Sequence, residues 1–270
     1  MSLTCRICDN DKLDLVLNLG HHPPSDAFLT EEDLQSHEIH YPLQLYHCDV
    51  CGLAQLGYVV AKEVLFNSEY PYQTGQNEGG RKHFQGLADS VVAKYSLKHG
   101  DLVVDIGGND GTLLGYFKEH GCDVLNVEPS GVSTVSGEKG IPTKQEFWGY
   151  EVALSVKHTQ GMAKVITATN VFAHIEDVHG VMNGVDMLLA DDGVFVVECP
   201  SFERLLEGLS YDTIYHEHLS IFDPEPMQYL VSQYGMTVKE VEGLEVHGGT
   251  IRYFIERVST ASQSEQKKAA

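Results

Sequence analysis

From Leu102 onward, short unbroken apolar runs alternate with stretches in which apolar side chains recur at helical spacing. Runs of the first kind suit strands buried on both faces, and stretches of the second kind suit the helices that cover them. Residues 102–106 predict a strand, 112–120 a helix with Leu113, Leu114 and Phe117 on one face, and 124–127 the next parallel strand. Gly107, Gly108 and Gly111 punctuate the turn between the first strand and the helix, where the backbone can come close to a ligand. The alternation continues with a helix at 147–157, a strand at 163–168, a helix at 178–189, a strand at 193–198 and a helix at 226–234. Residues 236–242 and 250–258 predict two final strands around His247-Gly248-Gly249. This is the pattern of an α/β fold: an open, doubly wound, mostly parallel sheet with a closing β-hairpin.

Upstream the pattern is less regular. Residues 53–60 predict a strand, and Glu69-Tyr70-Pro71-Tyr72-Gln73-Thr74-Gly75 is a turn-rich connector. Tyr70 and Tyr72 serve equally well as packing residues or as ligand contacts. A helix at 76–95 follows, with Phe84, Leu87, Val91 and Val92 as the apolar face that would pack against the edge of the main sheet. The last residues, SQSEQKKAA, are polar and expected to be disordered.

Composition narrows the classes. A chain of 270 residues with 42% apolar content can hold one large domain and a small one. No apolar stretch approaches a membrane span, and MSLTCRICDNDK lacks the basic and apolar segments of a secretory signal, so a cytoplasmic location is expected. Lys and Arg number 18 against 39 Asp and Glu, a formal charge of -21. That balance repels phosphate backbones and argues against nucleic acid as substrate. It fits anionic substrates poorly too, although such charge is ordinarily a solvated surface.

Cys5-Arg6-Ile7-Cys8 and Cys48-Asp49-Val50-Cys51 are two C-x-x-C pairs. In a reducing compartment they read as a four-thiolate site for structural zinc, which gives folding free energy to a lobe too small for its own core. Disulfides or a redox pair are the alternatives. His21, His22 and His47 read as ordinary exposed histidines, because four thiolates saturate the ion. Cys122 and Cys199 are isolated and read as small buried residues.

The unit from Leu102 to Val127 is a nucleotide-cofactor βαβ unit, and Glu128 ends its second strand where an acid can hydrogen-bond a ribose. A G-x-G-x-x-G fingerprint would need glycines at Asn109 and Thr112, which weakens a nicotinamide or flavin reading. Asp105, the Gly/Asn turn and the second acid resemble the class I S-adenosylmethionine (SAM) methyltransferases; another nucleotide or a degenerate site is the alternative. The resemblance implies that Asp105, Gly107, Asn109, Asp110, Gly111, Glu128 and Pro129 hold SAM.

In an open α/β sheet the site lies beyond the carboxyl ends of the strands. Three segments fall there: 169–174, 199–202 and 211–218. The last carries Tyr215-His216-Glu217-His218, a dense ionisable cluster without the H-E-x-x-H spacing of a catalytic zinc. Proton transfer suits it, with an adjacent carboxylate able to orient the imidazole. Exposed loop histidines are the plain alternative.

The four-cysteine segment, DIGGNDG, NVEPS, NVFAHI, YHEHLS and HGGTIR occur in the order seen in the sugar C-methyltransferases, and the chain resembles that family from Cys5 to about Phe254. These enzymes methylate C3 of dTDP-linked 4-keto deoxysugars. The resemblance implies a zinc lobe at 1–66 with Cys5, Cys8, Cys48 and Cys51 as ligands. A connector and helix at 67–98, a methyltransferase domain at 99–259 and a tail at 260–270 would follow. It implies His218 as general base with Tyr215 and Glu217 beside it, and His174 and Asn170 lining the same pocket. An imidazole can remove a proton α to a ketone if the enolate oxygen receives a hydrogen bond, which Tyr215 or His174 could give. Family members usually continue beyond the HGG strand into a third, nucleotide-holding domain. A partner chain supplying it, a different or smaller keto substrate, and a shortened relative with weak activity are the alternatives. A partner or self-association is expected to cover the apolar end of the fold. Methylation of oxygen or nitrogen in another small molecule, and a non-catalytic zinc- and SAM-binding module, are the alternative functions.

Overall fold

The computed structural model describes residues 3–25, 28–65, 73–246 and 249–258. Tyr70 and Tyr72 of the connector, His247 and Gly248 of the hairpin, and the tail from 260 lie outside the described residues. The N-terminal lobe contains β1 (Asp14–His22), β2 (Tyr41–His47), β3 (Ala54–Leu56) and α1 (Lys62–Leu65), and α2 (Glu78–Tyr95) leads out of it. The larger unit runs β4 (Leu102–Ile106), α3 (Thr112–Glu119), β5 (Asp123–Val127), α4 (Ser133–Glu138), β6 (Thr143–Lys144), α5 (Tyr150–Gln160), β7 (Ala163–Thr169), α6 (Val178–Leu188) and β8 (Leu189–Pro200). It ends with α7 (Phe202–Gly208), β9 (Ser220–Ile221), α8 (Pro224–Ser232), β10 (Met236–Leu244) and β11 (Thr250–Arg257).

The main sheet has the order β10-β11-β8-β7-β4-β5-β6. From β8 to β6 the strands are parallel, and β11 and β10 close the sheet antiparallel. Alternate residues of the central strands feed two cores, as the two-residue period of a strand requires. Val103, Val165, Val194, Val196 and Phe254 face α2 and α3. Val104, Ile166, Phe195, Val197 and Tyr253 face α5, α6 and α8. Among the described residues no helix is long and apolar enough to cross a membrane.

Three expectations shift. The apolar run at 53–60 is a strand only over Ala54–Leu56, because Val59 and Val60 turn away to line a cavity. Helix α2 starts at Glu78, where the Asn77 side chain caps it by accepting from the Gly80 amide at 2.6 Å. It lies on the face of the sheet rather than its edge, with Phe84, Leu87, Ala88 and Val91 buried against β4, β7, β8 and β11. Helix α5 starts at Tyr150, after Gly149, leaving Phe147 and Trp148 in a loop that the Trp148 indole ties to the Val181 carbonyl at 3.2 Å.

One strand changes partners. The second sheet has the order β1-β2-β3-β9, so Ser220–Ile221, far along the chain, completes the sheet of the N-terminal lobe. The two sheets therefore meet at the segment that carries Tyr215 and His218.

Candidate functional site

The two C-x-x-C pairs come together. All four sulfurs lie within 4.8 Å of one another, with Cys5 and Cys51 3.4 Å apart and Cys8 and Cys48 3.5 Å apart. Zn–S bonds of ~2.3 Å in a tetrahedron set sulfurs ~3.8 Å apart, so the residues present fit the ion. Each pair sits on a tight turn, closed by the Asp9 amide to the Cys5 carbonyl at 3.0 Å and the Gly52 amide to the Cys48 carbonyl at 2.8 Å. A hydrogen bond from the Cys51 thiol brings the Cys5 thiol below its ordinary value. Four sulfur donors leave no open position, which makes the site structural. His21 and His22 are exposed, and His47 contacts Asp49.

At the carboxyl ends of β4, β5 and β7 lies a cavity of ≈ 660 Å³. That is within the roughly 300–1,000 Å³ of small-molecule sites. Of the residues expected at the cofactor, Gly107, Asn109, Glu128, Pro129 and Asn170 line it. Asn109 and Asn170 adopt left-handed backbone, at φ 50° and 55°. Gly107 is at φ 64°, and a Cβ there would meet the Val171 side chain at 2.5 Å, so the turn and the loop after β7 fit together only with glycine. The Glu128 carboxylate accepts the Asn109 amide at 3.0 Å and the Ser130 amide at 2.8 Å, one per oxygen. Each oxygen keeps a further acceptor position, which suits a pair of ribose hydroxyls.

Asp105, Asp110 and Gly111 are placed behind the turn, not among the residues that line the cavity. Asp105 is buried and accepts from the Thr167 hydroxyl at 2.7 Å. Asp110 pairs with Lys139 at 2.8 Å and accepts the Gly75 amide at 3.0 Å, and Thr74 donates to Asn109 at 3.0 Å. These bonds bind the approach to α2 to the glycine-rich turn. A side chain at Gly111 would strike Ser136 of α4, so that glycine serves helix packing.

The N-terminal lobe supplies cavity walls that sequence patterns did not reveal. Val59, Val60 and Leu65 face Phe147, Trp148 and Tyr150, and the Lys62 ammonium lies 3.9 Å from the Phe147 ring centroid. Gly149 was the available signal, since it halts the helical pattern just after the aromatic pair.

Beside the cavity stand the expected ionisable groups. His218 Nδ1 lies 2.7 Å from the Thr213 carbonyl, and its Nε2 lies 3.1 Å from the Tyr215 hydroxyl. A carbonyl only accepts, so Nδ1 carries the proton and Nε2 accepts from Tyr215. A main-chain carbonyl thus orients the ring. The His174 ring, at the cavity wall, is 5.1 Å from the His218 ring. Burial, and then the neighbouring His218, push His174 well below the ordinary histidine range, so it stays neutral. Glu217 is buried, and His216 is turned to the Tyr41 carbonyl at 3.3 Å.

Below the site, Glu198 accepts from Arg252 Nε at 2.6 Å and contacts His83 Nε2 at 2.8 Å. Burial raises the Glu198 carboxyl, but the His83 hydrogen bond and the Arg252 charge outweigh it and hold the group below its ordinary value. The Glu198 carbonyl also accepts the Asn170 amide at 2.8 Å, fixing the loop after β7. Neither Glu198 nor His83 carried a sequence signal of its own.

The sheet order, the acid-ended second strand and the cavity at the strand ends define a methyltransferase of the class I SAM-dependent fold. Solved methyltransferase structures share it, two of them as follows. A SAM-dependent methyltransferase from Clostridium acetobutylicum matches with a TM-score of 0.52 at 12% identity, over 66% of this chain and 92% of that one. Magnesium protoporphyrin IX methyltransferase from Synechocystis, solved with bound S-adenosylhomocysteine, matches with a TM-score of 0.51 at 12% identity, over 67% and 84%. The chain belongs to the methyltransferase domain family, whose model matches residues 80–241, and a zinc binding domain model matches residues 5–66. It is 35% identical over 251 residues to the C-methyltransferase NovU of Streptomyces niveus, covering 93% of this chain and 60% of that protein's length.

Proposed function

We propose that the protein is a SAM-dependent C-methyltransferase that acts at C3, the carbon α to the ketone, of a nucleotide-linked 4-keto deoxysugar. The observation that carries this reading is the oriented imidazole of His218, with Nε2 aimed at Tyr215 beside the cofactor cavity. The 35% identity to a C-methyltransferase supports the choice of carbon as acceptor.

Gly107, Asn109, Glu128, Pro129 and Asn170 would hold the cofactor, with the Glu128 oxygens on its ribose. When bound, SAM supplies a methyl group activated by its sulfonium leaving group. His218 Nε2 takes the C3 proton, and the C–H electron pair passes to the ketone oxygen as an enolate. The neutral His174 ring donates a hydrogen bond to that oxygen, where negative charge develops. The Tyr215 hydroxyl can do so once substrate draws it away from Nε2 and leaves that nitrogen free for the C3 proton. A neutral His174 leaves the proton to His218. The enolate carbon would be the acceptor of the methyl group, with the S–CH3 electron pair leaving on the sulfur of S-adenosylhomocysteine. Glu217 lies buried beside the base, and His216 ties the loop to the Tyr41 carbonyl. Cys5, Cys8, Cys48 and Cys51 would bind zinc, which contributes folding free energy to the lobe.

The test is mass spectrometry of the protein incubated with SAM and a panel of nucleotide-linked 4-keto deoxysugars. Gain of one methyl group on carbon supports the reading. Methylation on oxygen or nitrogen, without exchange of the α proton into solvent, would replace it with the O- or N-methyltransferase alternative.

A further inference from the structure

Between the first two cysteines lies Arg6, which no part of the reaction above uses. Its side chain runs out of the metal turn and ends against the base-bearing segment. One guanidinium nitrogen donates to the Leu219 carbonyl at 2.9 Å and the other to the Leu56 carbonyl at 2.9 Å. Its main-chain amide donates to Gln55 Oε1 at 2.9 Å, and Gln55 returns a bond to the Thr4 carbonyl at 2.9 Å. The Leu219 carbonyl also accepts the Leu56 amide at 2.9 Å. Arg6 therefore spans β3 and the peptide that follows His218.

We propose that Arg6 is a positioning residue that couples the four-cysteine site to the placement of the His218 imidazole. Strand β9 is only two residues long and pairs with β3 through Ala54–Ile221 and Gln55–Ser220. So short a strand does not hold the preceding turn by itself. The turn closes on the His218 amide, which donates to the Tyr215 carbonyl at 3.0 Å, and Leu219 is its exit. A planar guanidinium can hold two carbonyls at once in a fixed plane, which a lysine ammonium or an amide cannot reproduce. The other end of the lever is fixed as well: His179 of α6 meets the Ile7 carbonyl at 2.9 Å through Nε2 and the Tyr234 hydroxyl at 2.7 Å through Nδ1. The metal turn is thus anchored to the methyltransferase unit on one side and reaches the His218 turn on the other. Catalytic groups need placement to within ~0.5 Å, and Thr213 and Arg6 provide it from the two ends of the loop.

This inference rests on His218 being the base, but it is read without substrate, so the two can fail separately. The experiment is ¹⁵N NMR of histidine-labelled protein, with the His218 signals assigned by their loss in His218→Gln. In the wild type, His218 shows the Nδ1–H tautomer that the Thr213 carbonyl selects. In Arg6→Met that retains zinc by metal analysis, the tautomer preference is lost and the signals move toward those of free imidazole. Affinity for S-adenosylhomocysteine stays within about threefold, since Arg6 does not line the cavity. Stripping zinc from the wild type produces the same tautomer change. An unchanged Nδ1–H signature in zinc-replete Arg6→Met overturns the proposal. Should that variant fail to retain zinc, Arg6→Gln, which cannot reach both carbonyls, is read by the same two results. Failure of the base assignment shows elsewhere, as full turnover in His218→Gln.

Discussion

The imidazole of His218 donates its Nδ1 proton to the carbonyl of Thr213 across 2.7 Å. This single bond fixes both ring orientation and tautomer, and it leaves Nε2 as the nitrogen that can accept a proton. His218→Gln is therefore expected to lower turnover by about a hundredfold or more, the contribution of a positioned general base. Affinity for S-adenosylhomocysteine should change little. Steady-state kinetics with calorimetry checks both, and turnover equal to the wild type would remove His218 from the chemistry.

Glu128→Ala should do the reverse. Its carboxylate holds the Asn109 and Ser130 amides and, in the proposed complex, the ribose. Loss of a charge-assisted pair costs about 1.5–3 kcal/mol, so affinity for SAM should fall roughly ten- to hundredfold. Turnover at saturating SAM should be largely kept. Isothermal titration showing unchanged affinity would place the ribose elsewhere.

Asp105 gives the protein a pH-dependent stability. Burial lifts its carboxyl from 3.8 to about 7; the Thr167 hydroxyl opposes this, and the Glu128 and Glu198 charges add to it. The folded state then keeps a proton that the unfolded chain releases once pH passes 3.8. Stability from this group is complete below that value, declines as pH rises, and is lost above about 7. Asp105→Asn can still accept from Thr167, and its new N–H₂ faces the same side of Gly108 as the Asn126 side-chain oxygen, a buried acceptor with no hydrogen-bond partner among the described residues. At ~1.4 kcal/mol per pKa unit the variant should gain a few kcal/mol at pH 8 and almost nothing at pH 4. Thermal melts across that range decide it; parallel curves for the two proteins would show that Asp105 is ordinarily ionised.

Cys48→Ser should lower bound metal from about one zinc per chain, the stoichiometry of a four-thiolate site, and destabilise the N-terminal lobe. Because β9 is a strand of that lobe's sheet, proteolysis should open the segment around residues 211–221 along with the lobe. Cleavage confined to the N-terminal residues would mean that the two sheets are not coupled.

The sequence alone determined the α/β class, the βαβ unit and its acid, the four-cysteine site and the cluster around His218. These are local signals: strands buried on both faces must be unbroken apolar runs, a turn that approaches a ligand needs glycine, and soft ligands come in short pairs. Tertiary structure decided where each of these residues sits and what it touches. Asp110 was legible as an acid in the glycine-rich turn, but its pairing with Lys139, just past α4, was not. Phe147 and Trp148 matched a helix but line the cavity, because Gly149 lets α5 begin after them. Strand β9 and Arg6 left no periodic trace, since their partners lie across the fold: β3 pairs with Ser220–Ile221, and Arg6 reaches Leu219. Two residues are too few to show a period, and a side chain that bonds distant carbonyls is specified by geometry that exists only once both sheets have formed.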